Sequence, residues 1–402
     1  MKYTKIVSLI FFIGISILGF SQTQGHSIGR NNSKKILDQE KQIDQLKKSN
    51  GEKYGNKEVS VEIAIDKMIN IELNNNNRTI EVRTWDEPKI KISTIVYFDG
   101  AMSTLSSESW FDKLNIKTKL LSNTLRITTD ALASSNISNT NVSTNNTSSQ
   151  EVVEVYSVDG QYIKSEPARR KVVTIYVPKE NKLSIESKYA DVAVVNYIKK
   201  LKADITNGNL EIDNVNTISL KSKYANVYIG EVQNGTIDFI NGKLSIGTLG
   251  DIELETKYAT VEISKVKKLN FKSTNDDYEL EDVIAIKGSK SYGSLQIEKL
   301  LESIQIEGIN ADAKIKNISS EIKSIWFDNK YAELRLPLKN VANFSLNYDG
   351  VYSTISKSFI TANNDSQRVS TGDDHNSKYN TTVGSGLTKI NIKCQNCKID
   401  FR

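Results

Sequence analysis

Apolar residues recur at a spacing of 17 through the middle of the chain, at Ile198, Val215, Val232, Leu249, Val266, Val283 and Leu300. Two further slots keep the same register, as Leu210, Val227, Leu244, Val261, Tyr278 and Leu295 and as Ile212, Ile229, Ile246, Ile263, Leu280 and Ile297. Within each unit apolar and polar residues alternate with period two, which predicts half-buried strands and not helices. A helix-turn-helix repeat is excluded by length, since it takes about 33 residues or more. Repetition at one short period marks a solenoid, in which each unit buries its apolar face only against its neighbours. The pattern therefore predicts an all-β fold, a single-stranded parallel β-solenoid with rungs of about 17 residues.

The polar turn of the unit carries a second code, alternating as Asn207, Tyr224, Asn241, Tyr258, Asn275, Tyr292 and Asn310, with one slip of a residue before the last. Stacked parallel strands lie about 4.8 Å apart, so like residues fall roughly 9.6 Å apart, two rungs away. Asn207-Gly208 and Asn241-Gly242 enter left-handed turn conformations readily, whereas Lys223-Tyr224-Ala225 and Lys257-Tyr258-Ala259 do not. The expectation is that each phenol covers the bare glycine of the adjacent rung, as aromatics do across strands. Copies at Lys188-Tyr189-Ala190 and Lys330-Tyr331-Ala332 extend the series. Together with Tyr292, these Lys-Tyr pairs predict a ladder along one edge. Its structural role would be to shield turns and seal the stack. Its functional role would be a row of aromatic platforms beside cations, suited to saccharide rings or anionic envelope polymers.

Composition shifts divide the chain. Lys2 and Lys5, the apolar stretch Ile6 to Phe20 and the small residues around Ser21 predict a secretory signal over 1–21, too short for a bilayer span of about 20 apolar residues. Residues 22–58 are a polar linker, with one short helix expected over 33–50. Residues 59–130 carry imperfect copies of the β code, including Ile71-x-Leu73 and Ile80-x-Val82 followed by Trp85, and Trp85 and Trp110 are bulky enough to cap the open end. A low-complexity insertion rich in Ser, Asn and Thr fills 131–170, the regular solenoid spans 171–355, a polar loop insertion takes 356–380, and closing rungs are expected over 381–402.

Candidate chemistry is sparse. The net charge of +5 falls by two with the signal and is too weak to argue for nucleic acid. The two cysteines, Cys394 and Cys397, sit in a closing rung, where a disulfide across the turn is the expected state in an exported chain. A thioredoxin-like centre would need a βαβ context, and a zinc site would need ligands beyond the two histidines, His26 and His375. The densest acids, Asp276, Asp277, Glu279, Glu281 and Asp282, begin in the turn code, where Asp and Asn are simply good turn formers. The same slot holds Gly242 and Lys243 earlier and Gly293 and Ser294 later, so stacking supplies no partner acid for Asp276 and Asp277. Gly372-Asp373-Asp374-His375 lies in the polar insertion without a rigid frame. No motif points to a cofactor or metal, so no catalytic residue is assigned and the expectation is a protein that is not an enzyme.

The rung Ser187-Lys188-Tyr189-Ala190-Asp191-Val192, the opening Ile80-Glu81-Val82-Arg83-Thr84-Trp85-Asp86, Val177-Pro178 and the closing Gly384-Ser385-Gly386 resemble the bacterial putative-adhesin family called domain of unknown function 4097. The resemblance covers 59–402 apart from the two polar insertions. It implies a single-chain β-solenoid exported to the envelope, in the periplasm, secreted or at the cell surface, sometimes tied to envelope-stress regulation, and it supplies no catalytic residues. An envelope glycan or envelope protein is the expected partner, with no integral membrane span once the signal is removed. The alternative is a carbohydrate-active β-helix enzyme.

Overall fold

The computed structural model describes residues 55–66, 69–100, 104–130, 152–167, 173–356, 369–370 and 376–402. The expected signal, the helix over 33–50, the stretch 131–151 and Gly372 to His375 lie outside them. Among the described residues the chain is nearly all β, and its strands join in one open sheet that does not close on itself. One α-helix, Ser107–Lys113, is N-capped by the Ser106 hydroxyl, which accepts from the Ser109 N–H. No described helix is long and apolar enough to cross a membrane.

The sequence period reappears as strand register. Val261 pairs in parallel with Tyr278, Leu269 with Ile286 and Leu201 with Ile218, each 17 residues on. Within the unbroken extended run Leu210–Thr274 the same offset shows in side chains. There Asn226 Nδ2 donates to Asn209 Oδ1 at 3.2 Å, and Lys268 Nζ meets Asp251 Oδ2 at 2.8 Å. The three apolar slots all turn inward, each side chain at most 2% exposed. Burial of each large aliphatic chain contributes about 1.5–3 kcal/mol, so the core gains stability by the copy.

Chain order and spatial order part company at both ends. The strand Thr388–Gln395 pairs in parallel with Ser324–Lys330 on one side and Phe344–Val351 on the other, and Lys398–Asp400 likewise lies between Glu333–Arg335 and Thr354–Ser356. The expected closing copy is therefore an interior one. The outer place belongs to Phe344–Val351, with Asn376–Val383 antiparallel beyond it. At the other end Asn70–Asn76 stacks directly on Lys182–Lys188, with paired residues 112 apart in sequence at Asn75 and Ser187. The apolar spacing of a copy is the same wherever it inserts, which is why the pattern alone does not reveal its place.

Antiparallel pairs join the parallel ones before residue 170. Gly55–Ala64 pairs with Lys89–Asp99, Ile116–Leu121 with Thr124–Asp130, and Val152–Ser157 with Tyr162–Pro167. The last hairpin stands inside the span read from composition as low complexity. Trp110 is fully buried between Phe98 and Tyr156, with ring centroids at 6.4 and 5.3 Å. Trp85 is half-buried against Tyr176 and donates its indole N–H to the Lys89 carbonyl at 2.9 Å.

Candidate binding edge

Every residue of the turn code has a left-handed backbone. Read through space by the strand registers, the line runs Asn77, Tyr189, Asn207, Tyr224, Asn241, Tyr258, Asn275, Tyr292, Asn310, Tyr331, Asn396, Tyr352, with φ between 50° and 64°. The alternation is unbroken in space and not in sequence, because Tyr331 and Tyr352 follow one another at this position along the chain while Asn396 lies between them in the stack. At about 4.8 Å per step the line is roughly 53 Å long, with a tyrosine every 9.6 Å or so.

This geometry corrects the expectation that only the Asn-Gly copies turn left-handed. Asn tolerates that conformation through its short polar side chain, whereas a bulky residue meets its own backbone there, at a cost of about 1–2 kcal/mol. Six tyrosines nevertheless adopt it, each between 50% and 62% exposed. The alternation holds between spatial neighbours, so each ring has a short asparagine side chain and not a second ring at the adjacent step. The glycines answer to something else. A Cβ on Gly208 would lie 2.0 Å from the Ala190 carbonyl oxygen, and one on Gly242 1.9 Å from that of Ala225. Backbone of the preceding copy, and not a phenol, demands the missing side chain.

Of the ladder lysines, Lys188 pairs with Glu186 at 2.8 Å, and that carboxylate raises its pKa. Lys223, Lys257 and Lys330 make no ion pair with any described residue. Tyr352, which closes the line, was not legible as a member, since Val351-Tyr352-Ser353 lacks both the lysine and the alanine of the other copies.

Beneath Tyr258 and Tyr292 the edge hides a polar cluster. The slot two residues before each left-handed position points inward and holds Ser222, Phe239, Thr256, Ser273 and then Lys290, each at most 2% exposed. Lys290 Nζ donates to the Asp276 carbonyl and to Ser273 Oγ at 3.1 Å, 5.1 Å from the Tyr278 ring centre. Asp276, 1% exposed, accepts the Thr256 hydroxyl at 2.6 Å, the Ser273 hydroxyl at 2.7 Å and the Thr274 N–H at 2.8 Å on Oδ2, and the Ala259 N–H at 2.7 Å on Oδ1. Desolvation pulls the Lys290 ammonium down to about 8 against the opposing pull of Asp276 and Asp277, and burial pushes the Tyr278 phenol up. Asp276 is thus no ordinary exposed turn former. Asp277 is one, accepting the Ser294 N–H and hydroxyl at 3.0 and 2.7 Å. The lysine in an inward slot was the sequence signal for this cluster.

A shallow cavity on the outer face is lined by Glu262, Glu279, Glu281, Gln296, Glu298 and Lys316. The register stacks Glu262 on Glu279, so acids do pair here, unlike Asp276 and Asp277. Lys243 holds Glu262 at 2.6 Å and Lys316 holds Glu298, leaving a solvated face with part of its charge balanced. No group of His, Cys, Asp or Glu among the described residues is arranged to hold a metal ion. Cys394 and Cys397 are joined by a disulfide, Cα atoms 5.9 Å apart, across the left-handed Asn396.

No protein-family model matches the chain, and no curated protein sequence matches it. Among solved structures it is similar to a putative lipid binding protein from Parabacteroides distasonis ATCC 8503, at 12% identity over 68% of this chain and 94% of that one, TM-score 0.31. A putative adhesin from Parabacteroides merdae ATCC 43184 also shares 12% identity, over 69% and 96%, TM-score 0.31. A putative adhesin from Bacteroides fragilis NCTC 9343 shares 14%, over 69% and 96%, TM-score 0.25. Likeness at this level assigns neither the fold nor the activity of this chain.

Proposed function

We propose that the chain is an exported, non-catalytic binding protein of the cell envelope, built as a single-stranded parallel β-solenoid that displays a linear aromatic edge. Register and length support the winding. A 65-residue extended run would reach roughly 215 Å if straight, yet its residues contact partners 17 positions away, and the run pairs in parallel with the strands before and after it. The signal-like start of the sequence supports export. Absence of catalysis is supported by Asp276, whose carboxylate is fully occupied by internal donors, and by the solvated, partly paired glutamates of the shallow cavity.

One observation carries the binding role. Six half-exposed tyrosines alternate with asparagine along an unbroken spatial line, on a backbone conformation that disfavours them. Left-handed backbone at a bulky residue is retained where something offsets its cost, and an exposed recurring platform is such a use. Replacing Tyr224 and Tyr258 together by Ser tests it. The expected result is lost retention on whole cells and on purified envelope glycans while the melting temperature changes little. A double variant that melts earlier and is retained like the wild type would make the line architecture alone.

A further inference from the structure

We infer that the ligand of this edge is an acidic polysaccharide lying along the stack axis, across the strands, with its central contacts between Asn207 and Asp277. The inference rests on the binding role proposed above and narrows it to one ligand class. Within that stretch Tyr224 and Tyr258 stand two steps apart, roughly 9.6 Å. Beside each is a lysine, Lys223 and Lys257, that is paired with no described residue. On the opposite flank, two residues beyond each left-handed position, the line offers Asn209, Asn226, Lys243 and Thr260, and acids return only at its borders with Asp191 and Asp277. The slots nearest the line are therefore aromatic, amide and cationic, and the first carboxylates on the lysine flank, Asp238 and Glu255, lie one outward slot further along the strands, beside Lys221 and Lys272.

A ring face with an ammonium beside it, repeated at one spacing on a straight line, matches a straight polymer whose own anion repeats. A folded protein presents irregular contacts and has no need of that regularity. The two-step spacing is close to two sugar rings of an extended β-linked chain, so a polymer with a carboxylate or sulfate on every second sugar sets each anion by a lysine and each intervening ring on a phenol. Single exposed ion pairs contribute only about 0–1 kcal/mol. Affinity must come from several contacts engaged at once, which makes it dependent on polymer length and sensitive to salt.

Binding of the full chain to hyaluronan, a β-linked polymer with a carboxylate on every second sugar, and to a neutral β-glucan of similar length, at low and high salt, tests the inference. Wild type is expected to bind the acidic polymer about tenfold or more tightly than the neutral one, with the preference lost at high salt and in short oligomers. The triple variant Lys223→Gln, Lys257→Gln, Lys330→Gln is expected to lose that preference while melting as the wild type does, since these side chains are exposed and unpaired. Equal binding of both polymers, or undiminished hyaluronan binding by the triple variant, overturns the acidic class. If the neutral polymer alone is bound and Tyr224→Ser with Tyr258→Ser abolishes it, the binding edge survives and only the ligand class falls. If neither polymer is bound, or protease treatment of cells removes their retention of the protein, the acidic class falls; if the tyrosine variant is retained normally as well, the edge falls with it.

Discussion

Asp276 reaches back one copy to Ala259: its Oδ1 accepts the Ala259 N–H at 2.7 Å, 17 residues earlier, while Lys290, one copy later than Ser273, closes on the Asp276 carbonyl. Three successive copies are tied here through a buried acid and a buried lysine, where Thr129, Asn75 and Ser187 tie three others through neutral groups alone. In a stack of near-equivalent units such a tie opposes slippage by a whole unit, the use for which buried polar pairs are best attested. Asp276→Asn puts an amide donor among hydroxyl and N–H donors and removes the countercharge of Lys290, so a loss of about 3–5 kcal/mol is expected. Lys290→Met fills the same space but takes the countercharge from Asp276 and the donor from its carbonyl, so a smaller loss, about 1–3 kcal/mol, is expected while four donors still hold the carboxylate. Urea melts of both single variants and the double check it, with the Asp276→Asn loss expected to shrink in the Lys290→Met background.

The same lysine predicts a pH dependence. Its ammonium has a folded pKa of about 8 against the ordinary 10.5. Between those values the folded chain has released a proton that the unfolded chain keeps, so stability rises with pH across that window and is lowest below it. The total is on the order of 3 kcal/mol. Subtracting the Lys290→Met curve from that of the wild type isolates this group from the surface lysines. A flat difference from pH 7 to 10.5 would show that Lys290 is solvated.

Gly242→Ala separates backbone crowding from aromatic cover. With φ at +137° and the Ala225 carbonyl 1.9 Å from the new Cβ, the copy must shift, and a loss of about 2–4 kcal/mol is expected. Tyr224→Asn is expected to change stability by less than about 1 kcal/mol, because relief of the left-handed strain offsets the lost ring contact. Thermal melts of the two variants rank them.

Register predicts the tolerance of the stack to deletion. Removing 236–252, one full unit, returns each apolar slot to its place, whereas removing nine residues turns the following slots outward. Circular dichroism and melting cooperativity should survive the first and collapse in the second. Equal loss in both would contradict the 17-residue register.

The core of this fold was readable because burial repeats with the period of the chain, so Ile198, Val215 and Val232 announce one another. The edge was readable as a row of tyrosines beside lysines, but not as left-handed backbone. Residue-type preference places Asn and Gly there, yet Tyr189 and Tyr224 take the same conformation against their own preference. Asp276 was hidden by its own good fit to a turn. Its burial depends on Lys290 and Thr256, which lie 14 and 20 residues away and meet it only through stacking. The disulfide partners were readable from spacing, yet their interior place was not, because a copy inserted between two earlier ones keeps the same pattern of slots.

That insertion makes the strand Thr388–Gln395 a keystone. Until it has been synthesised, Ser324–Lys330 and Phe344–Val351 have no strand to hold them together, and the edges that will receive it are unpaired on both sides. Folding from the first copy onward therefore runs up to a gap that only a later strand fills. A chain cut short by a single copy leaves two adhesive strand edges where a simple terminal unit would have left one. Closure of the stack at this end thereby waits on a strand that comes later in the sequence than both of its neighbours.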